Sequence, residues 1–178
     1  MNVPSRMVVA LALALVATSG EALAQAAGGA EARLKEKNIV LPVAGTPVAN
    51  YVGAVRVGNL LFVSGHTPGQ QWQPNGKVGR ELTIEQGYQA ARTAGLNLLA
   101  TVRANVGSLD KVKRVVKTLG MVNSADGFGD QPKVVNGFSD LMVEVFGEAI
   151  GKHARSAVGV AGLPFNAPVE VEVVLEVE

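Results

Sequence analysis

From Val169 to Val177 apolar residues alternate with Glu170 and Glu172, the period of two that marks a strand with one buried face. Ala154 to Val160 reads as another strand, and Leu163 to Pro168, with two prolines, as the connection between them. Upstream, Tyr51 to Val57 and Leu60 to Ser64 are short β-type runs on either side of a turn at Val57-Gly58-Asn59, so they predict a hairpin. Gly65 to Gly79 is rich in glycine and proline and reads as a loop. Thr83 followed by Gln86 is a capping box, and Ile84, Tyr88, Ala91, Leu98 and Val102 then recur at helical spacing. Small Ala94 and Gly95 within that helix suggest a close approach to a sheet. Lys113 to Met121 predicts a third strand, Ala125 to Pro132 a loop, and Val134 to Phe146 a second helix with Phe138, Leu141, Met142 and Val145 on one face.

The resulting order, ββαβαββ, predicts an α+β sandwich with both helices on one face of the sheet. The chain offers no third layer for the other face, so self-association is expected to cover it.

The N-terminus reads differently. A start with one positive charge, Arg6, precedes the apolar run 7–17, MVVALALALVA, and then Ala22-Leu23-Ala24. That is the order of a secretory signal peptide, and the run is shorter than the roughly 20 residues a membrane span needs. The expected organisation is a signal peptide at 1–24, a linker at 25–45 and a folded domain at 46–178. The mature chain is then expected to be periplasmic or secreted and free of the membrane.

Composition narrows the chemistry. Sixteen Lys and Arg against fifteen Asp and Glu leave +1, and only eight residues are aromatic (five Phe, two Tyr, one Trp). Neither an electrostatic footprint nor a base-stacking platform for nucleic acid is expected. The basic run Lys111, Lys113, Arg114 and Lys117 has no interleaved aromatic and reads as a solvated strand edge. Cysteine is absent, and with His66 and His153 as the only histidines no metal site is expected. The chain has neither a glycine-rich phosphate loop nor a GxSxG nucleophile elbow. Ser64 near His66 invites a hydrolase reading, but the pair need not touch; His66 is more simply a loop or hydrogen-bonded packing residue, with a substrate contact as the alternative, and His153 is a weak functional candidate. Arg155, between small Ala154 and Ser156, is the better candidate, because its fork can grip a carboxylate by two charge-assisted bonds. Glu170, on the last and adjoining strand, can accept a proton or orient a water.

The segment ARSAVGVAGLP at 154–164, followed by Val169-Glu170-Val171-Glu172, resembles the C-terminal signature of the RidA (YjgF/YER057c/UK114) family. Tyr51 before the hairpin, Val63-Ser64-Gly65 at the end of the second strand, Val115 to Thr118 in the third and Asn136 at the start of the second helix agree in order. The resemblance covers roughly Pro47 to Val177. It implies a chorismate-mutase-like fold, a homotrimer with clefts between subunits, and hydrolysis of reactive 2-imino or enamine acids to 2-keto acids and ammonia without metal or cofactor. By the same resemblance Arg155 binds the substrate carboxylate and Glu170 positions the attacking water. Tyr51, Ser64, Gly65 and Asn136 line the pocket. The chain departs from the family pattern at His66, where glutamine is usual, at Ala157, and in the loop Ser124 to Pro132. Two other classes stay open: a non-enzymatic trimer that binds small carboxylates, and a chaperone-like interaction protein.

Overall fold

The structure is a computed structural model and describes residues 28–70 and 72–178. The leader expected at 1–24 lies outside them. Among the described residues the α-helices and strands follow in the order α1 Ala30–Glu36, β1 Ala54–Val57, β2 Leu60–His66, α2 Ile84–Val106, β3 Val112–Asn123, α3 Gln131–Phe146, α4 Glu148–Gly151, β4 Ala154–Val160 and β5 Val169–Val177. The five strands form one sheet in the order β1-β2-β5-β3-β4. All neighbours are antiparallel except β3 and β4, which run parallel. Parallel strands need a crossover, and α3 with α4 supplies it.

The expected α+β architecture is therefore the observed one, with both long helices on a single face. The inner face of β5, Val169, Val171, Val173, Leu175 and Val177, is buried beneath them, with Leu61 and Val63 of β2 and Val115 and Val122 of β3. Thr83 caps α2 as anticipated, its hydroxyl accepting from the Gln86 N–H at 3.2 Å while the Gln86 side chain accepts from the Thr83 N–H at 2.9 Å.

Several boundaries differ from the sequence reading. β1 begins at Ala54 rather than Tyr51. α3 begins at Gln131, three residues before Val134, because Pro132 sits in its first turn, where the missing N–H has no intrahelical partner to lose. Asn136 thus lies within α3, not at its opening. The stretch 25–45, whose charged part Glu31 to Lys37 reads as linker or at most a short helix, contains α1, whose Ala30 and Leu34 are buried. The Glu31 carboxylate accepts from Arg103 at 2.6 and 3.0 Å and from the Leu109 N–H at 3.0 Å, which ties α1 to the end of α2. The basic run matches its reading: Lys113, Arg114 and Lys117 are exposed, and the first half of β3 pairs only with β5.

Of the small residues in α2, Gly95 serves the other helix. A Cβ at Gly95 would lie 2.8 Å from Leu141 Cδ2 and 3.0 Å from Phe138 Cδ2, both on α3. Gly137 makes the reciprocal approach, since a Cβ there would lie 2.0 Å from the Tyr88 carbonyl oxygen. Backbone cannot yield as a side chain can, so Gly137→Ala is expected to cost about 3 kcal/mol. Gly129→Ala, with nothing within 4 Å of its Cβ, is the matched control and should change stability by under about 0.5 kcal/mol. Urea midpoints of the two variants check this.

Candidate functional site

The residues singled out in the sequence fall into two groups. The first is on the open face of the sheet. Between β2 and β5 the register runs Val63↔Val173 and then His66↔Val171, so β2 carries one extra residue at Ser64-Gly65. Such a bulge re-aims the backbone. Glu170 packs directly over it: a Cβ at Gly65 would lie 2.0 Å from Glu170 Oε1, so glycine is what lets the carboxylate rest there. Half-burial, and then the neighbouring Glu172, push the Glu170 carboxyl above its ordinary range. Ser64 donates its hydroxyl to the Val52 carbonyl at 2.7 Å and its N–H to the Gly53 carbonyl at 3.0 Å. That pins the segment carrying Tyr51, itself about half exposed.

The second group is on the helix side of edge strand β4. Arg155 Nη1 donates to Asn136 Oδ1 at 2.9 Å and to Ser139 Oγ at 3.0 Å, and Nη2 donates to the Pro132 carbonyl at 3.4 Å. All three acceptors are neutral, so they aim the guanidinium without cancelling its charge. Ser139, Asp140, Val143, Lys152, His153 and Arg155 line an open depression of about 460 Å³ here.

Arg155 and Glu170 are not on adjoining strands, contrary to the sequence reading, because β3 lies between β4 and β5. Arg155 shares a cross-sheet row with Thr118 and Val173, which are buried on the helix side. Glu170 shares a row with Met121 and Val158 on the open side. The rows are three residues apart along the strands and two strand spacings apart across them, about 10 Å in each direction. Within one chain the two residues face opposite ways and cannot hold one small molecule between them.

Neither histidine joins the Glu170 group. His66 Nδ1 lies 2.7 Å from the Ser64 carbonyl, and Nε2 lies 2.8 Å from Thr101 Oγ1 on α2, so this ring ties the bulge to the helix layer. It bonds the Ser64 backbone and not its hydroxyl, so Ser64 and His66 do not form a nucleophile–base pair. His153 meets Ser139 Oγ at 3.1 Å and thereby borders the Arg155 group. Ser139 was passed over in the sequence. The available signal was its i,i+3 spacing from Asn136, which sets both on one helix face. Among the described residues no group of three or more His, Asp or Glu is placed to hold a metal ion, and no helix is long and apolar enough to cross a membrane.

Comparison with known proteins agrees with this architecture. The family model described as "YjgF/chorismate_mutase-like, putative endoribonuclease" matches residues 31–177. The chain is 46% identical over 153 residues to Protein TCP17 of Trypanosoma cruzi, covering 85% of this chain and 96% of that protein. It is 34% identical over 140 residues to a 2-iminobutanoate/2-iminopropanoate deaminase of Dermatophagoides farinae, covering 79% and 95% respectively. A crystal structure of a protein of unknown function from Agrobacterium tumefaciens superposes with a TM-score of 0.76 at 44% identity, over 84% of this chain and 92% of that one. The chain belongs to the YjgF/chorismate-mutase-like family, the RidA family of the sequence reading.

Burial is the leading cause that lowers the pKa of both His66 and His153 below the ordinary 6.5 or so. The unfolded chain then binds more protons than the folded one as pH falls through that value. The stability these neutral rings contribute is complete above about pH 6.5 and is lost as pH drops from there through their folded pKa values. Urea midpoints should fall between pH 8 and pH 5.5, and His66→Gln should flatten the fall.

Proposed function

We propose that the protein hydrolyses small 2-imino and enamine acids to 2-keto acids and ammonia, in clefts completed by a neighbouring copy of the same chain. One observation carries this reading. An arginine held by neutral oxygens and a carboxyl with raised proton affinity occupy opposite faces of one sheet. Each is half of a carboxylate-and-water site, and neither half is completed within the chain. The deaminase relative from Dermatophagoides farinae supports the reaction class.

In this reading Arg155 takes the substrate carboxylate through its fork, with Asn136 and Ser139 holding the guanidinium. Glu170 of the adjacent copy accepts a proton from water as its oxygen adds to the imine carbon, beside Ser64, Gly65 and Tyr51. That proton passes to the nitrogen to give a carbinolamine; the hydroxyl proton follows it by way of Glu170, and ammonia leaves as the carbon–nitrogen bond breaks and the carbonyl forms. One imine and one water give one keto acid and one ammonia. A carboxyl with elevated proton affinity suits both transfers near neutrality. The iminium carbon is already electrophilic, so orientation supplies most of what the reaction needs.

The assembly in this reading is a homotrimer, whose contacts cover the open sheet face where Phe62 and Val158 are exposed. The chain works after export, with its leader removed near Ala24; the support is the charged, apolar and small-residue order of 1–24.

The test is loss of imine, generated by an amino-acid oxidase and trapped with semicarbazide. Arg155→Ala is expected to lower kcat/KM by about 100-fold, the loss of a paired charge-assisted contact. Glu170→Gln should lower kcat by about 100-fold or more while leaving carboxylate binding in place. Undiminished turnover in Glu170→Gln would move the reading to a carboxylate-binding protein without catalysis. Co-refolding the two inactive variants should restore activity, because random assembly gives about a quarter of the sites both wild-type residues. No recovery would place Arg155 and Glu170 in one chain's site and refute the shared cleft.

A further inference from the structure

The Arg155 side of the site holds a hydrogen-bond chain of which the deaminase reading uses only the Ser139 end. His153 Nδ1 lies 2.7 Å from the Gly151 carbonyl oxygen. A carbonyl only accepts, so Nδ1 carries the hydrogen, and Nε2 of the neutral ring is left as an acceptor. Nε2 is 3.1 Å from Ser139 Oγ, so the serine hydroxyl hydrogen points at the ring. The serine lone pairs are then turned toward Arg155 Nη1 at 3.0 Å. One backbone carbonyl thus sets the polarity of every bond from Gly151 to the guanidinium. Phe138 holds the imidazole edge-on, with centroids 6.0 Å apart and planes at 72°.

We propose that Ser139 and His153 are positioning residues for Arg155, and that docking of a carboxylate on Arg155 is coupled to uptake of a proton by His153. The inference rests on the carboxylate-clamp role of Arg155.

The electrostatics follow from the surroundings. Burial is the main reason the ring stays neutral, the Gly151 bond opposes it, and the charge of Arg155 adds to it. The other charged groups at this depression are Lys152, which precedes the ring, and Asp140 on α3. Asp140 already accepts the Tyr88 hydroxyl at 2.9 Å, and Lys152 is paired with Glu148 at 2.8 Å. An anion on Arg155 cancels part of the field that disfavours the imidazolium. By linkage, the affinity for that anion must rise as the ring takes up its proton. The protonated ring donates from Nε2 to Ser139 Oγ. The serine keeps a lone pair on Arg155 and its released hydroxyl hydrogen is free to meet the anion.

The experiment is calorimetric titration of the full chain with 2-oxobutanoate, the expected product, from pH 5.5 to 8 in buffers of different ionisation enthalpy. Wild type is expected to bind several-fold tighter at pH 5.5 than at pH 8, with measurable proton uptake. Ser139→Ala should weaken binding by about tenfold at pH 8, the loss of one acceptor on a charged donor. His153→Gln, which keeps a neutral acceptor, should hold its affinity within about twofold at pH 8. It should also lose the part of the pH dependence and proton uptake that belongs to the ring, the remainder being that of Glu170. If both variants keep wild-type affinity and proton uptake while Arg155→Ala loses binding, the relay is wrong and the clamp stands. If Arg155→Ala binds as wild type does, the clamp itself fails and the relay with it.

Discussion

The seating of β5 under the two long helices is the constraint from which the rest of the site descends. Val169, Val171, Val173, Leu175 and Val177 all face inward, and the strand is hydrogen-bonded on both edges, to β2 and to β3. A strand with a period of two has no freedom left once one face is fixed. Burying the five apolar residues therefore aims Glu170 and Glu172 at the open face. The position of the carboxyl is dictated by the core rather than by any contact of its own. β2 must bulge at Ser64-Gly65 to accommodate it.

Arg155 is held in a different way. It sits on an edge strand with β3 on one side only, and its orientation comes from α3, through Asn136, Ser139 and the Pro132 carbonyl. The close seam between α2 and α3, where Gly137 lies against the Tyr88 carbonyl, sets where α3 runs. A packing contact at Gly137, between the two α3 residues that hold the arginine, thus bears on the direction of its fork. The two halves depend on separate parts of the core, which is why one chain can orient both without bringing them together.

Much of this was legible in the residues. The ends of β4 and β5, the capping box of α2 and the buried face of α3 are local patterns, and each was found where the pattern put it. Strand order was not legible, because pairing across a sheet is non-local: nothing between Val160 and Val169 indicates that β3 separates β4 from β5. For the same reason Arg155 and Glu170 could be selected as a pair but not placed on opposite faces. The extension of α3 to Gln131 was hidden by Pro132, which reads as a breaker unless the first helical turn is considered. A short helix at Glu31 to Lys37 was one of two readings of that stretch, but its packing through Ala30 and Leu34 depends on distant partners and had no local signal. Ser139 had no chemical signal of its own, and its role emerges only once α3 is laid beside β4.

The half-burial of Glu170 has a bearing on how such a protein folds at all. A carboxylate and a guanidinium facing each other in a dry cleft would burden a chain of this size with a large desolvation cost before any assembly formed. Here each group remains partly hydrated in the single chain, one over a glycine and the other among neutral oxygens. The folding of the subunit is relieved of that electrostatic work, which under the proposed shared cleft is deferred to the step at which copies meet and water leaves it.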